Sequence, residues 1–195
     1  MTGQKNRFKT TERLWDIDDK QLKTPKHDAM VLWLMDENNL FQYESIWGFP
    51  KIIKSGEYIG HGNYEEVDKK YGGVKIQSEQ PIMSSPTFIA GYADLIITPK
   101  YGYLRKDIDK IIWREESDFS CLIEIKPYID SFGAVLRQLK SYQRFWIRSR
   151  KTTKKICLFT LDTRFDAQFE SQEINVLHPP EDVTVDDMMD MYGLR

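Results

Sequence analysis

From Val74 onward, apolar and polar positions fall into segments with two distinct periods. "GVKIQSEQPIM" alternates from Val74, "FIAGYADLIIT" is rich in β-branched and aromatic residues, and "FSCLIEIKPY" carries a nearly continuous apolar run. These three segments predict strands. The stretch between the last two, "PKYGYLRKDIDKIIWREESD", is long enough for a hairpin extension or a mobile loop. "SFGAVLRQLKSYQRFWIRSR" then places Phe132, Val135, Leu136, Leu139, Tyr142 or Gln143, and Trp146 at helical spacing. "KKICLFTLD" predicts another buried strand, "SQEINVLHP" a weaker one, and "EDVTVDDMMDMYGL" a short terminal helix. Upstream, "TPKHDAMVLWLMDENN" starts like a helix, with Thr24 as N-cap and Pro25 in the first turn. Residues 1 to 24 read as an irregular lead-in, and Leu40 to Gly73 as short elements and loops. The order is helix, three strands, helix, strand, with additions at both ends. It predicts an α/β or α+β sandwich around a mixed sheet flanked by helices. No repeat, linker or low-complexity tract divides the chain, so residues 1–195 read as one domain. Within it, a motif-bearing core spans about 74–165, between an N-terminal helical part (1–73) and an acidic C-terminal extension (166–195).

One strand departs from its own pattern. In "CLIEIKPY", alternation puts Cys121, Ile123 and Ile125 on one face and Leu122, Glu124 and Lys126 on the other. Two opposite charges therefore stand side by side at the end of an apolar strand, which folding alone does not require. Asp94 interrupts "GYADLIIT" in the same way. If the two strands pair, Asp94, Glu124 and Lys126 converge at one edge of the sheet. Two carboxylates brought together raise a pKa unless a cation lies between them, and Mg²⁺ is the natural occupant of such an oxygen site. Lys126 could then hold or help deprotonate an attacking water and offset charge on phosphate oxygens. The bare Asp/Glu-x-Lys pattern also occurs at Asp18–Lys20 and Asp68–Lys70, and a structural salt bridge at a strand end would look the same. The following helix adds Gln138 and Tyr142, one turn apart on a single face. Gln can orient a carboxylate or touch a nucleotide, and Tyr can stack or donate a hydrogen bond.

Composition narrows the class. Of 195 residues, 41% are hydrophobic and 30% charged, the balance of a soluble globular chain. No apolar run approaches the ~20 residues of a membrane helix, and the first residues lack a secretory core. Cys121 and Cys157 both lie in apolar strands and read as small core residues of a reducing compartment, so a cytoplasmic location and no membrane partner are expected. Net charge is −2, but its distribution is uneven. From Ser131 to Leu161 there is no acidic residue, while Arg137, Lys140, Arg144, Arg148, Arg150, Lys151, Lys154 and Lys155 are basic. From Asp162 to Arg195 nine carboxylates face two arginines. Lys140, Arg144 and Arg148 form an i, i+4, i+8 stripe able to track a phosphate backbone, or else a solvated face. Together with Arg137 and Lys151 they are the candidate nucleic-acid contacts.

"GYAD", "EIK" and "QLKSY", in that order, resemble the signature motifs of the PD-(D/E)xK nuclease superfamily, and more narrowly its RecB-type branch with GxxD, (D/E)xK and QxxxY. "SEQPI" (78–82) also sits where that branch carries a Glu-containing strand. The resemblance implies a restriction-endonuclease-like core and a Mg²⁺- or Mn²⁺-dependent deoxyribonuclease leaving 5′-phosphate and 3′-hydroxyl ends. Relatives with the Gln–Tyr motif often act at free ends, which implies exonuclease-like more than endonuclease-like processing. It further implies Asp94 and Glu124 as metal ligands, the Ile125 carbonyl as a third, and Lys126 as the residue positioning the water. Gln138 and Tyr142 would support the site. A further ligand would come from His27 on the first core helix, with Glu44 and Glu79 as rivals. Departures from the pattern are Ala93 in place of Pro and the 30 residues separating Asp94 from Glu124, which imply an insertion. Two cysteines cannot supply the four ligands of an iron–sulfur cluster. No Walker-type loop is present, so unwinding would need a helicase or recombination partner in trans. The alternative is a catalytically inactive nucleic-acid-binding or assembly module of the same fold.

Overall fold

The computed structural model describes residues 25–43, 47, 64–66, 73–105, 110–147 and 152–194. Its elements are α1 (Pro25–Met35), α2 (Glu37–Phe41), β1 (Tyr64–Glu66), β2 (Val74–Ser85), β3 (Phe88–Arg105), β4 (Lys110–Glu115), β5 (Cys121–Lys126), α3 (Phe132–Trp146), β6 (Lys155–Thr160), α4 (Asp166–Glu170), β7 (Asn175–Leu177) and α5 (Val185–Met191). The seven strands form one mixed sheet. β2, β3 and β5 pair antiparallel, while β5, β6 and β7 run parallel. The expected mixed sheet flanked by helices is the observed architecture. The stretch after Thr98 is the hairpin extension: β3 runs on beyond its pairing with β2 and pairs antiparallel with β4, from Lys100↔Glu115 to Arg105↔Lys110.

The alternation on β5 divides the core into two layers. Cys121, Ile123 and Ile125 pack with α1 and α5, together with Leu95, Ile97, Cys157 and Phe159. Leu122 faces the other way, toward Val135, Leu139 and Tyr142 of α3. α3 is amphipathic for this reason, and Ser131 caps its start by accepting from the Ala134 N–H. α1 is different, because Asp28 through Leu34 are all buried. A helix apolar all round belongs inside a core, and Trp33 stacks on Phe159 with centroids 5.9 Å apart. The acidic C-terminal segment contributes buried residues to both layers. Phe169 and Ile174 join the α3 side, and Leu177 and Met188 the α1 side. Cys121 and Cys157 are core thiols with Sγ atoms 3.3 Å apart. Among the described residues no helix is long and apolar enough to cross a membrane.

β3 changes face at one residue. Gly91 and Ala93 pack with the α3 layer, but Leu95 and Ile97 pack with the α1 layer. Asp94 lies at the switch. On β2 the residue opposite is Glu79, between the pairs Ser78↔Leu95 and Gln80↔Ala93, and its φ is 48°. A left-handed non-glycine residue costs roughly 1–2 kcal/mol. The β3–β5 ladder stops there too, at Leu95↔Ile123, so the strands part just where Asp94 and Glu124 would have paired.

Beyond β5 the chain is pinned from below. Asp162 Oδ2 accepts from the Ile129 N–H at 3.2 Å, and Oδ1 accepts from Arg164 Nε at 2.8 Å and its N–H at 3.1 Å. Arg164 Nη2 also donates to the Ile129 carbonyl at 3.1 Å. The Arg164 guanidinium and these backbone donors hold the Asp162 carboxyl well below the usual carboxylate range. A folded-state value below the unfolded one, ~3.9, gives stability that is present above that pH and lost as pH falls through the folded value. Asp162→Asn should therefore have a lower Tm near neutrality and a shallower loss of Tm from about pH 5 to about pH 3. Parallel acid limbs in thermal melts would remove Asp162 from the account.

Candidate active site

Glu124 sits near the C-terminal end of β5, on the α3 side, and is 1% exposed. Its Oε1 takes two donors: the Lys126 ammonium at 2.6 Å and the Gln138 amide at 2.7 Å. The same amide reaches the Tyr142 hydroxyl at 2.8 Å, and that hydroxyl donates to the Tyr92 carbonyl at 2.8 Å. The expected one-turn spacing of Gln138 and Tyr142 is thus a continuous chain of polar contacts from β5 across α3 to β3. Glu124 Oε2, in contrast, is buried with no hydrogen-bond partner. Burial, with the Asp94 charge added to it, pushes the Glu124 carboxyl up to about 7 against the opposing pull of Lys126. Burial lowers the Lys126 ammonium, but the Glu124 carboxylate outweighs it and leaves the lysine raised.

Asp94 stands where the strands part. Its Oδ2 accepts from the Ile125 N–H at 2.7 Å, so the side chain replaces a ladder carbonyl. The structure thus brings the N–H of the Ile125 peptide to Asp94. His27, at the start of α1, places Nε2 3.2 Å from Asp94 Oδ1 and Nδ1 3.1 Å from Asp28 Oδ1. Burial pulls the imidazole down, yet the hydrogen bonds to Asp28 and Asp94 prevail and raise it to about 9. Of the candidates for a further ligand, His27 is the one seen touching Asp94. Glu79 lies opposite it in register, and Glu44 falls outside the described residues.

Asp28 was not singled out from sequence. It is 2% exposed, and its Oδ2 has no hydrogen-bond partner. A carboxylate holding one imidazole nitrogen fixes the ring so that the other points into a site. The signal was present as an Asp inside the apolar run "DAMVLWLM". The glycine of "GYAD" also gains a physical reason. A Cβ at Gly91 would stand 2.8 Å from Tyr142 Cε1 and 3.0 Å from its hydroxyl. Gly91 and Tyr142 are therefore two halves of one contact.

The candidate nucleic-acid contacts separate. Arg137 and Arg144 are exposed on α3. Lys140 donates to the Gln172 carbonyl at 2.7 Å and to Gln143 at 3.0 Å, tying α3 to the turn after α4. α3 ends at Trp146, short of Arg148, which with Lys151 lies outside the described residues.

The donor set fits a small divalent cation by one test of this structure: Glu124 Oε2 is a buried carboxylate oxygen that lacks any donor, and buried acceptors are almost always satisfied. Asp94, Glu124 and His27 are the residues that would hold such an ion. Mg²⁺ keeps several waters and needs few protein ligands. Among the described residues, no three His, Cys, Asp or Glu side chains form a ready-made metal cage. No family model, curated protein or solved structure matches this chain.

Gly91→Ala should lower stability by about 1–3 kcal/mol through overpacking on Tyr142. Combined with Tyr142→Leu it should cost clearly less than the sum of the two single changes, because the clash partner is gone. Additive losses in a denaturation cycle would refute the coupling.

Proposed function

We propose that this chain is a divalent-metal-dependent deoxyribonuclease of the PD-(D/E)xK type, hydrolysing phosphodiester bonds at DNA ends. The observation that carries the reading is the unsatisfied Glu124 Oε2, beside Asp94 and Lys126, at the point where β3 and β5 part. The order of GxxD, ExK and QxxxY along the chain supports it. Asp94, Glu124 and His27 would hold Mg²⁺ or Mn²⁺, which when bound supplies Lewis-acid charge that activates water and neutralises phosphate oxygens.

The remaining roles belong to the chain's own groups. Lys126 is 30% exposed while its ammonium is anchored on Glu124, so protons remain to donate to a water or to a phosphate oxygen. Such a preorganised donor stabilises charge that develops in the transition state. Gln138 fixes Glu124 through Oε1, leaving Oε2 for the cation. Tyr142 holds Gln138 and ties the assembly to the Tyr92 backbone. Arg137 and Arg144 would contact flanking phosphates.

The second reading, a DNA-binding or assembly module without chemistry, draws on one observation. His27–Asp94 and Lys126–Glu124 already form ion pairs, and such pairs can hold a fold together without turnover. Cleavage of end-labelled linear single-stranded and duplex DNA, beside a closed circle, separates the two. Wild type should degrade at least one of the linear substrates with Mg²⁺ or Mn²⁺ and not with EDTA. Lys126→Ala should lower the rate about 10²-fold or more with circular dichroism unchanged. Asp94→Asn and Glu124→Gln should lose Mn²⁺ binding in calorimetry. Cutting of the circle would make the activity endonucleolytic, and binding without cleavage under every condition would favour the inert module.

A further inference from the structure

The loop from β5 to α3 leads directly out of the candidate site, and two residues beyond Lys126 it presents Tyr128. This ring is 56% exposed, while Ile129 beside it is 1% exposed. Its backbone is held on both sides. The Leu161 N–H donates to the Pro127 carbonyl at 3.3 Å, and Asp162 and Arg164 clamp the Ile129 peptide through its N–H and carbonyl. A tyrosine on a held backbone has only two side-chain torsions left to lose on gaining a partner.

Two features indicate which partner. The Lys26 ammonium lies 5.5 Å from the Tyr128 ring centroid. Lys26 precedes His27, whose Nε2 meets Asp94, so this cation and this ring stand on the two segments, the start of α1 and the loop after β5, that also carry His27 and lead on from Lys126. The Lys126 and Tyr128 Cα atoms are at most about 7 Å apart, which keeps the ring next to whatever occupies the site. An aromatic face stacks on an exposed base face, and inside a duplex base faces are covered by their neighbours.

Resting on the nuclease reading above, we propose that Tyr128 is the stacking platform for an unpaired base next to the phosphate that Lys126 contacts beside Asp94 and Glu124, with Lys26 taking an adjacent phosphate. The substrate class is then single-stranded DNA. The Asp162–Arg164 clamp acts as a positioning device, setting the loop that carries the ring.

The test is fluorescence anisotropy of the full chain in EDTA, where no cleavage occurs, with a labelled oligothymidine single strand and a labelled blunt duplex. Tyr128→Ala should weaken single-strand binding about 5- to 100-fold and leave duplex binding unaltered. Tyr128→Phe, which keeps the ring, should bind as wild type does. Because the side chain is exposed, the variants should melt at the wild-type temperature, which a thermal scan checks. Undiminished single-strand binding by Tyr128→Ala, or equal losses on both DNAs, overturns the stacking role. Wild type that binds neither DNA, in EDTA and equally when Mg²⁺ is present, overturns the stacking role and the DNA reading together. Selective loss in Tyr128→Ala, in a wild type that never cleaves with metal, supports the platform and sinks the enzyme reading alone.

Discussion

A carboxylate buried between a sheet and a helix is tolerated when its oxygens have donors or a cation, and at Glu124 one oxygen has two donors while the other has none. The surrounding structure is organised around this imbalance. Lys126, two residues on along β5, shares the face of Glu124 because strand periodicity requires it. Gln138 is brought to the same oxygen because the apolar stripe of Val135, Leu139 and Tyr142 seats α3 on that face of the sheet. The burial of α3 and the orientation of Glu124 are one arrangement. A helix rotated so that Leu139 took the place of Gln138 would present an alkyl side chain to the carboxylate and turn Lys140 toward the core.

The second constraint is the parting of β3 from β5. Regular antiparallel pairing would have set Asp94 beside Glu124 with its side chain on one face. Instead the face switch at Asp94, opposite the left-handed Glu79, turns its carboxylate into the sheet edge, where Oδ2 accepts from the Ile125 N–H. The other oxygen is left for His27. Strain at Glu79 and a shortened ladder are local costs, and the gain is an opening in which groups from α1, β3 and β5 meet. That three elements from distant parts of the sequence converge on one gap is what separates this cluster from an ordinary strand-end salt bridge.

Much of this was legible in the sequence, for identifiable reasons. Period-2 and period-3.6 patterns placed β2, β3, β5, α3 and β6, and charges inside apolar strands exposed Asp94, Glu124 and Lys126. Gln138 and Tyr142 followed from helical spacing. What stayed hidden depends on contacts that no local pattern encodes. Gly91 reads as a turn or bulge signal until Tyr142, 51 positions later, is found against it. Asp28 heads an apolar run and carries no spacing signal of its own, and only the burial of α1 and the contact with His27 reveal it as the group orienting that ring. Of the stripe over Lys140, Arg144 and Arg148, Arg148 lies outside the described residues, and Lys140 is engaged by a carbonyl that sequence distance concealed. Asp162 and Arg164 appeared as two charges in an acidic tail, whereas together they fasten the loop leaving β5.

Those hidden contacts share a physical character. Each is a long-range hydrogen bond or close approach that fixes the direction of a group the sequence had already suggested: Gly91 admits Tyr142, Asp28 aims His27, and Asp162 with Arg164 sets the loop carrying Tyr128. Catalytic and binding groups lose effectiveness with small displacements, and rigid support lets a few polar atoms act in concert. Hydrophobic periodicity can specify which face a residue occupies, because burial of one face is a property of consecutive positions. It cannot specify aim within that face, because aim is set by partners that are neighbours only after folding. Here the residue types of the site are a one-dimensional property and its orientation is a three-dimensional one. The unpartnered oxygen of Glu124, invisible to any reading of spacing, belongs to the second kind.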